Sequence, residues 1–244
     1  MYEKRRPLSK TNALITNLAV ADLMMTILNI PFNILRFVLD NWPFGETMCK
    51  LVPFIQSTSV HCSSISMMFI AIERYRNVVG TVQDFRQFNQ RKCWPHVRTL
   101  VLIWSLSVLL SIPHGLYNQL VSDRFLALTR CKVTYPSQQF RQWLTIFTLL
   151  SQYLTPIFIT IICYMRIGLF LWRRRIVGTV SEGQRLSINR RKKRRIKMLF
   201  MVVLVFAICW LPLNVYHILS DFKFINYRSV LFFTVHWFAM SSVW

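Results

Sequence analysis

Apolar residues in this chain come in long runs without Asp, Glu, Lys or Arg, and short polar or basic segments separate the runs. Four of these runs have 22 to 24 residues, at 51–72, 99–122, 142–165 and 198–220. A fifth, Thr11–Leu35, is interrupted only by Asp22, and a sixth, 229–244, has 16 residues. A helix that crosses a bilayer needs about 20 apolar residues, so the pattern predicts an all-α membrane protein.

The polar flanks of these runs extend the predicted helices. We expect one domain over residues 1–244 with six spans, at about 11–39, 46–75, 98–120, 142–172, 195–221 and 229–244, and a basic cytoplasmic loop at about 173–195. The last run covers only ~24 Å of a ~30 Å hydrocarbon core at a rise of ~1.5 Å per residue. We therefore expect the chain to be a fragment of a longer membrane protein, with its last helix incomplete.

The distribution of charge predicts the orientation in the membrane. The chain has 30 Lys and Arg against 9 Asp and Glu, which gives a net charge of +21. Segments 1–10, 73–98 and 166–197 carry 4, 6 and 12 Lys or Arg, together 22 of the 30. Because basic residues concentrate on the cytoplasmic side, these segments are predicted to lie inside the cell. The charge is thereby explained by topology, and we expect a lipid bilayer and no nucleic acid as partner.

The six cysteines divide according to the predicted compartments. Three lie within spans, Cys62, Cys163 and Cys209, and Cys93 lies in a cytoplasmic segment. Only Cys49 and Cys131 face the oxidising exterior, so a disulfide between them is predicted. No pair of cysteines has the spacing of a metal site.

Asp22 is the only Asp, Glu, Lys or Arg inside the apolar runs, and such a residue is costly unless it has a function. A transporter or channel remains an alternative, although several intramembrane charges or inverted repeats would be expected of it. The spans contain no paired acids and no nucleophile with a neighbouring base, so we expect no enzyme. Prolines 31, 113, 156 and 212 lie in or near the outer halves of spans and predict kinks around an outer cavity.

Six motifs follow one another along the chain: Asn17-Leu-Ala-Val-Ala-Asp22, Trp42-Pro-Phe-Gly45 with Cys49, Glu73-Arg74-Tyr75, Trp104, Pro156 with Tyr164, and Cys209-Trp210-Leu-Pro212. In this order they resemble the motifs of rhodopsin-like (class A) G-protein-coupled receptors, which have seven transmembrane helices. Relative to this family the chain would lack the first helix and the end of the last. The acid before Arg74 is Glu, where the family more often has Asp.

The resemblance implies a role for each matching residue. It implies a sodium-binding pair at Asp22 and Ser63, a G-protein-coupling switch at Glu73, Arg74 and Tyr75, and a toggle and hinge at Phe206, Trp210 and Pro212. Sodium is the only ion that it implies, and it implies no other cofactor. The expected location is the plasma membrane, with a heterotrimeric G protein as cytoplasmic partner.

The ligand class follows from four further residues. An amine receptor would be expected to carry Asp about 18 positions before Arg74, where this chain has Gln56, and an opsin would need a lysine in 229–244, which has none. Gln56, Gln152, Asp221 and His236 together resemble the pocket of receptors for neuropeptide Y, neuropeptide F and RFamide or RYamide peptides. We therefore expect an extracellular peptide ligand with a C-terminal amide and an arginine near its end.

Each of these four residues also has a structural explanation. Asp221 lies close to Lys223 and could form a surface ion pair, Gln56 and Gln152 could satisfy one another, and His236 could be a packing residue. A non-peptide ligand on the same fold is the remaining alternative.

Overall fold

The computed structural model describes residues 10–38, 41–79, 94–123, 128–174, 182–225 and 228–243. Among these residues, five helices are long and apolar enough to cross a membrane, and Val230–Met240 forms a shorter apolar helix. The helices are α1 (Lys10–Met24), α2 (Ile30–Val38), α3 (Gly45–Val79), α4 (Trp94–Leu116), α5 (Gln138–Thr148), α6 (Thr155–Arg174), α7 (Glu182–Asp221) and α8 (Ser229–Met240). The predicted flank 1–9, Cys93 and Trp244 lie outside the described residues.

Two of the spans each consist of two α-helical pieces joined by a π-helical turn. Met25–Asn29 joins α1 to α2, and Leu149–Leu154 joins α5 to α6. Pro31 and Pro156 follow these turns, and proline has no amide hydrogen for the regular helical bond. A π-helical turn shifts the helix face that follows it. Near Pro113 and Pro212 the helices α4 and α7 continue without such a turn.

A β-hairpin replaces the end of one predicted span. The prediction of a helix over 98–120 is wrong at its outer end, because α4 stops at Leu116 and residues 118–120 belong to strand β1 (Asn118–Asp123). Strand β1 pairs antiparallel with β2 (Leu128–Val133), with Leu120 opposite Cys131. The apolar run is longer than the helix because Leu120 and Val121 are strand residues outside the bundle, where lack of charge does not specify a helix.

The prediction of a cytoplasmic loop over 173–195 is also wrong for most of its length. Helix α6 reaches Arg174 and α7 begins at Glu182, so 182–195 is the first part of a 40-residue helix. Arg, Lys, Gln and Leu dominate this segment and have high helix propensity, and its one glycine, Gly183, lies in the first turn. Low hydropathy marks where the membrane ends and does not mark where the helix ends.

Helix α3 is the centre of the bundle and packs against α1, α4 and α6. Its middle is buried on all sides, and several of the buried side chains are small and polar, among them Ser59, Ser64 and Ser66. Small residues allow membrane helices to approach closely, and hydroxyls can bond to the helix backbone.

The predicted Cys49–Cys131 disulfide is present and joins the outer end of α3 to β2. Both sulfurs are buried in a cluster with Trp42 and Val52. The hairpin is also held by the Trp42 amide, which donates to the Thr129 carbonyl at 2.7 Å. These contacts place the hairpin over the outer end of the bundle.

Candidate functional site

A cavity of about 230 Å³ opens in the outer half of the bundle. Helices α2 to α5, α7 and α8 and the β-hairpin all contribute lining residues, and Trp210 lies at its inner end. The four predicted ligand residues Gln56, Gln152, Asp221 and His236 all line it. No Lys or Arg is found among the lining residues from the described part of the chain. The cavity therefore combines one acid with neutral polar groups and aromatic rings.

One side of the cavity carries a cluster of two amides and an imidazole. The side-chain amide nitrogens of Asn33 and Gln56 lie 3.3 and 3.4 Å from Nε2 of His236, and the Asn33 amide nitrogen lies 3.5 Å from Oε1 of Gln56. Because amide nitrogens only donate, Nε2 of His236 acts as the acceptor and the proton is placed on Nδ1. His236 also stacks on Phe232, with ring centroids 5.4 Å apart.

The sequence pattern missed Asn33, which completes this cluster. It lies on α2 two residues after Pro31, and it is an amide within a predicted span. Gln56 pairs with Asn33 and His236, and the alternative that Gln56 and Gln152 bond to each other is not what the structure has. Gln152 lies on the π-helical turn before α6 and lines the same cavity.

Asp221 is buried at the outer end of α7, with 8% of its side chain exposed. Its Oδ1 lies 2.5 Å from a guanidinium nitrogen of Arg141 on α5, and its Oδ2 accepts a hydrogen bond from Thr145. The sequence allowed an ion pair between Asp221 and Lys223, but Asp221 pairs with Arg141. Arg141 was not predicted, although it directly precedes the charge-free run at 142–165.

Tyr135 lies beside this ion pair, outside the membrane spans, and lines the cavity. Burial raises the pKa of its phenol, the negative charge of Asp221 raises it further, and the positive charge of Arg141 lowers it. The raised pKa keeps Tyr135 protonated at neutral pH, so its hydroxyl can donate a hydrogen bond.

Trp210 separates the outer cavity from a smaller one deeper in the bundle, because it lines both. Its ring stacks on Phe206 at a centroid distance of 5.6 Å, and its indole nitrogen donates to Ser242 at 3.0 Å. Pro212 follows within the same helix. A molecule that fills the outer cavity would therefore press on a ring that connects α7 to the end of the chain.

Asp22 and Ser63 meet in the inner cavity, as their predicted pairing requires. The Ser63 hydroxyl donates to Oδ1 of Asp22 at 2.8 Å, and Ser242 adds a second hydroxyl to the lining. One carboxylate and two hydroxyls form a hard oxygen donor set, which suits a small hard cation such as sodium. These residues fit the predicted ion.

Glu73, Arg74 and Tyr75 lie near the inner end of α3, about as far from the outer cavity as the helix allows. All three are half-buried, and the Tyr75 ring packs against the main apolar cluster that also contains Phe206 and Trp210. The same cluster thus contacts residues of both the inner and the outer predicted sites.

The apolar spans, the outer cavity and the inner polar cavity are features of a multi-pass membrane protein with a site inside its helix bundle. Residues 1–243 match the family model described as "7 transmembrane receptor (rhodopsin family)". The chain belongs to the rhodopsin family of seven-transmembrane receptors. Members of this family are plasma-membrane receptors and not enzymes, in agreement with both predictions.

Relatives of known type include neuropeptide Y receptors. The chain is 32% identical to neuropeptide Y receptor type 6 of Mus musculus over 236 residues and 33% identical to that of Oryctolagus cuniculus over 234, each match covering 91% of this chain and 61% of the relative. It is 32% identical to neuropeptide Y receptor type 1 of Xenopus laevis over 247 residues, 95% of this chain and 65% of the relative. The chain thus spans slightly less than two thirds of the length of these receptors.

Proposed function

We propose that this chain is the binding and signalling core of a G-protein-coupled receptor for an extracellular peptide that has a C-terminal amide and an arginine near its end. One observation carries the proposal: a single cavity has a buried acid at its mouth and a neutral cluster of amides and imidazole on its wall. The similarity to neuropeptide Y receptors supports a peptide of this class.

The neutral cluster favours a carboxamide over a carboxylate. A carboxamide both donates and accepts hydrogen bonds, and Asn33, Gln56 and His236 offer both kinds of partner. A free carboxylate would enter a cavity whose described lining has no Lys or Arg, and a buried charge without a partner is costly. We therefore expect the amidated peptide to bind more tightly than the free acid.

The acid at the mouth favours a guanidinium group. An arginine side chain can bond a carboxylate through two parallel N–H groups, which adds geometric selectivity to charge attraction. Asp221 is the only acid that lines the cavity within the described residues. The aromatic rings of Trp210, Tyr135 and Phe232 offer apolar surface to an aromatic residue next to the arginine.

Signalling starts at Trp210 in this proposal. A ligand in the outer cavity contacts the Trp210 ring and biases an equilibrium between two helix arrangements. Displacement of Trp210 changes its stacking on Phe206 and its bond to Ser242, both next to the inner cavity. Asp22 and Ser63 would hold an allosteric sodium ion there. The positive charge of the ion would stabilise one of the two helix arrangements. Arg74 would contact the heterotrimeric G protein at the inner end.

The test is signalling by the full-length receptor in cells, read as calcium and cyclic-nucleotide responses to amidated Arg-Phe and Arg-Tyr peptides. Asp221→Asn should reduce potency by about 10- to 100-fold, the effect of losing a charge-assisted hydrogen bond of about 1.5–3 kcal/mol. The matched control is Glu46→Gln, because Glu46 is an exposed acid at the outer end of α3 that pairs only with Lys50 in the described residues. Its potency should equal that of the unmodified receptor.

Three outcomes would contradict the proposal. Silence towards every peptide in a receptor that reaches the cell surface would remove the ligand assignment and favour a non-peptide ligand. Equal potency of amidated and free-acid peptides would remove the carboxamide site. An equal loss for Asp221→Asn and Glu46→Gln would mean that the mouth acts only through overall charge.

A further inference from the structure

The outer ends of α5 and α7 are tied together at a single residue, Asp221. Side-chain amides of Gln138 and Gln142 donate to the Asp221 carbonyl oxygen at 2.6 and 3.4 Å. Arg141 and Thr145 bond to its carboxylate, one to each oxygen. Four residues on two turns of α5 therefore converge on the last residue of α7.

This arrangement leaves little of the Asp221 carboxylate accessible to a ligand. Both oxygens already have a partner, and 8% of the side chain is exposed. A ligand guanidinium that bonds both oxygens in parallel must reach a nearly buried carboxylate whose oxygens Arg141 and Thr145 already contact. The two cations cannot pair with Asp221 in the same way at the same time.

We propose that Arg141 is a resident competitor for the ligand arginine, and that binding exchanges one guanidinium for another at Asp221. This inference rests on the proposed function, since it concerns how the same site selects its peptide. Arg141 thereby determines specificity. A ligand group gains binding free energy at Asp221 only if it forms an ion pair that replaces the one with Arg141. A ligand with a neutral or weakly pairing side chain in place of the arginine leaves the ion pair between Arg141 and Asp221 intact.

Arg141 has a place to go when it is displaced. Its side chain is 38% exposed, and it lies in the first turn of α5, just before the charge-free run. When the guanidinium leaves Asp221, it can regain hydration outside the cavity. Separating Arg141 from Asp221 therefore costs the free energy of the ion pair, but it does not leave the Arg141 guanidinium buried.

The first experiment tests the pair without any ligand. The thermal stability of the purified full-length receptor is measured for Arg141→Gln, Asp221→Asn and the double variant. Arg141→Gln should lower the Tm, because it leaves a buried carboxylate without its cation, and it should have no effect in the Asp221→Asn background. Equal losses in both backgrounds would overturn the proposal, since Arg141 would then act on something other than Asp221.

The second experiment tests competition. Arg141→Gln should increase the potency of an amidated Arg-Phe peptide by about tenfold, which corresponds to about 1.4 kcal/mol, and should leave a peptide with citrulline in place of arginine unchanged. Lys132→Gln is the matched control, because it removes an exposed positive charge from β2 on the same side of the protein. Its potency should change by much less than that of Arg141→Gln.

The outcomes separate this inference from the proposed function. A loss of potency in Arg141→Gln, or an equal gain for the arginine and citrulline peptides, would overturn the role of competitor. An equal gain in Lys132→Gln would reduce the effect to long-range charge and would also overturn it. If no peptide activates even the unmodified receptor, the ligand proposal fails, and the competitor role towards an arginine ligand falls with it, whatever the stability cycle gives.

Discussion

Asn17 joins three helices and offers a measurable test of how polar contacts hold the bundle. Its amide nitrogen donates to the Ser66 hydroxyl at 2.9 Å, and its carbonyl oxygen accepts from the Trp104 indole at 2.8 Å. All of this lies within the membrane, and Asn17 is 7% exposed. Asn17→Ala would remove two well-formed bonds and leave the Trp104 N–H without its acceptor.

The expected cost follows from these two bonds. Hydrogen bonds between membrane helices contribute about 0.6 kcal/mol on average and up to about 1.7, so two give about 1–3 kcal/mol. At about 2–4 °C per kcal/mol for a protein of this size, a loss of about 2 kcal/mol lowers the Tm by about 4–8 °C. Ser66→Ala removes one of the bonds and should cost about half as much.

The assay is thermal unfolding of the purified receptor in one detergent, with Thr16→Ala as control. Thr16 is the neighbour of Asn17, and among the described residues its exposed hydroxyl donates only to the Asn12 carbonyl of its own helix. Thr16→Ala should leave the Tm unchanged. If Asn17→Ala loses no more stability than Thr16→Ala, the bonds between helices do not stabilise the bundle and the reasoning is refuted.

Three other changes test the scaffold and the inner cavity. Replacing both cysteines of the disulfide by serine removes a cross-link over 82 residues, worth up to about 4.5 kcal/mol by chain entropy, so Tm and surface expression should fall. Unchanged peptide binding would show that the disulfide is not needed to position the hairpin. Asp22→Asn should abolish the difference between NaCl and KCl in agonist affinity, and a persisting difference would place the ion elsewhere. Gly115→Val should lower the Tm because a Cβ there lies 3.1 Å from the Phe54 side chain, whereas Gly168→Val, with no atom within 4 Å, should not; equal losses would contradict the close approach of α3 and α4.

Two contacts, Asp22 with Ser63 and Cys49 with Cys131, could be predicted from sequence because motif and membrane position constrain them together. A lone acid in an apolar run has to find a polar partner, and Asp22 finds it in Ser63. The Cys49–Cys131 pair was predictable because the topology leaves only two cysteines outside. In both cases a single physical constraint removes nearly all alternative partners. For Asp22 it is the cost of burying a charge, and for the cysteines it is the need for an oxidising compartment.

The outer site could be predicted only in part. Gln56, Gln152, Asp221 and His236 were predicted by resemblance, and they line one cavity. Their partners depend on how α2, α5, α7 and α8 are placed, which no local pattern encodes. The role of Arg141 as the partner of Asp221 is a consequence of that placement.

The sequence by itself determined which segments form apolar helices and which cysteines pair, because the bilayer imposes a length and a compartment that can be read along the chain. Tertiary structure alone decided that residues 118–120 form a strand and that Asn33 meets His236, whereas the helix over 182–195 agrees with a local propensity that hydropathy does not record. Outside the hydrocarbon core, water satisfies the backbone in any conformation, so hydropathy no longer specifies secondary structure. Contacts between helices depend on their rotation and on turns such as 149–154, where one extra residue changes which side chain faces the cavity.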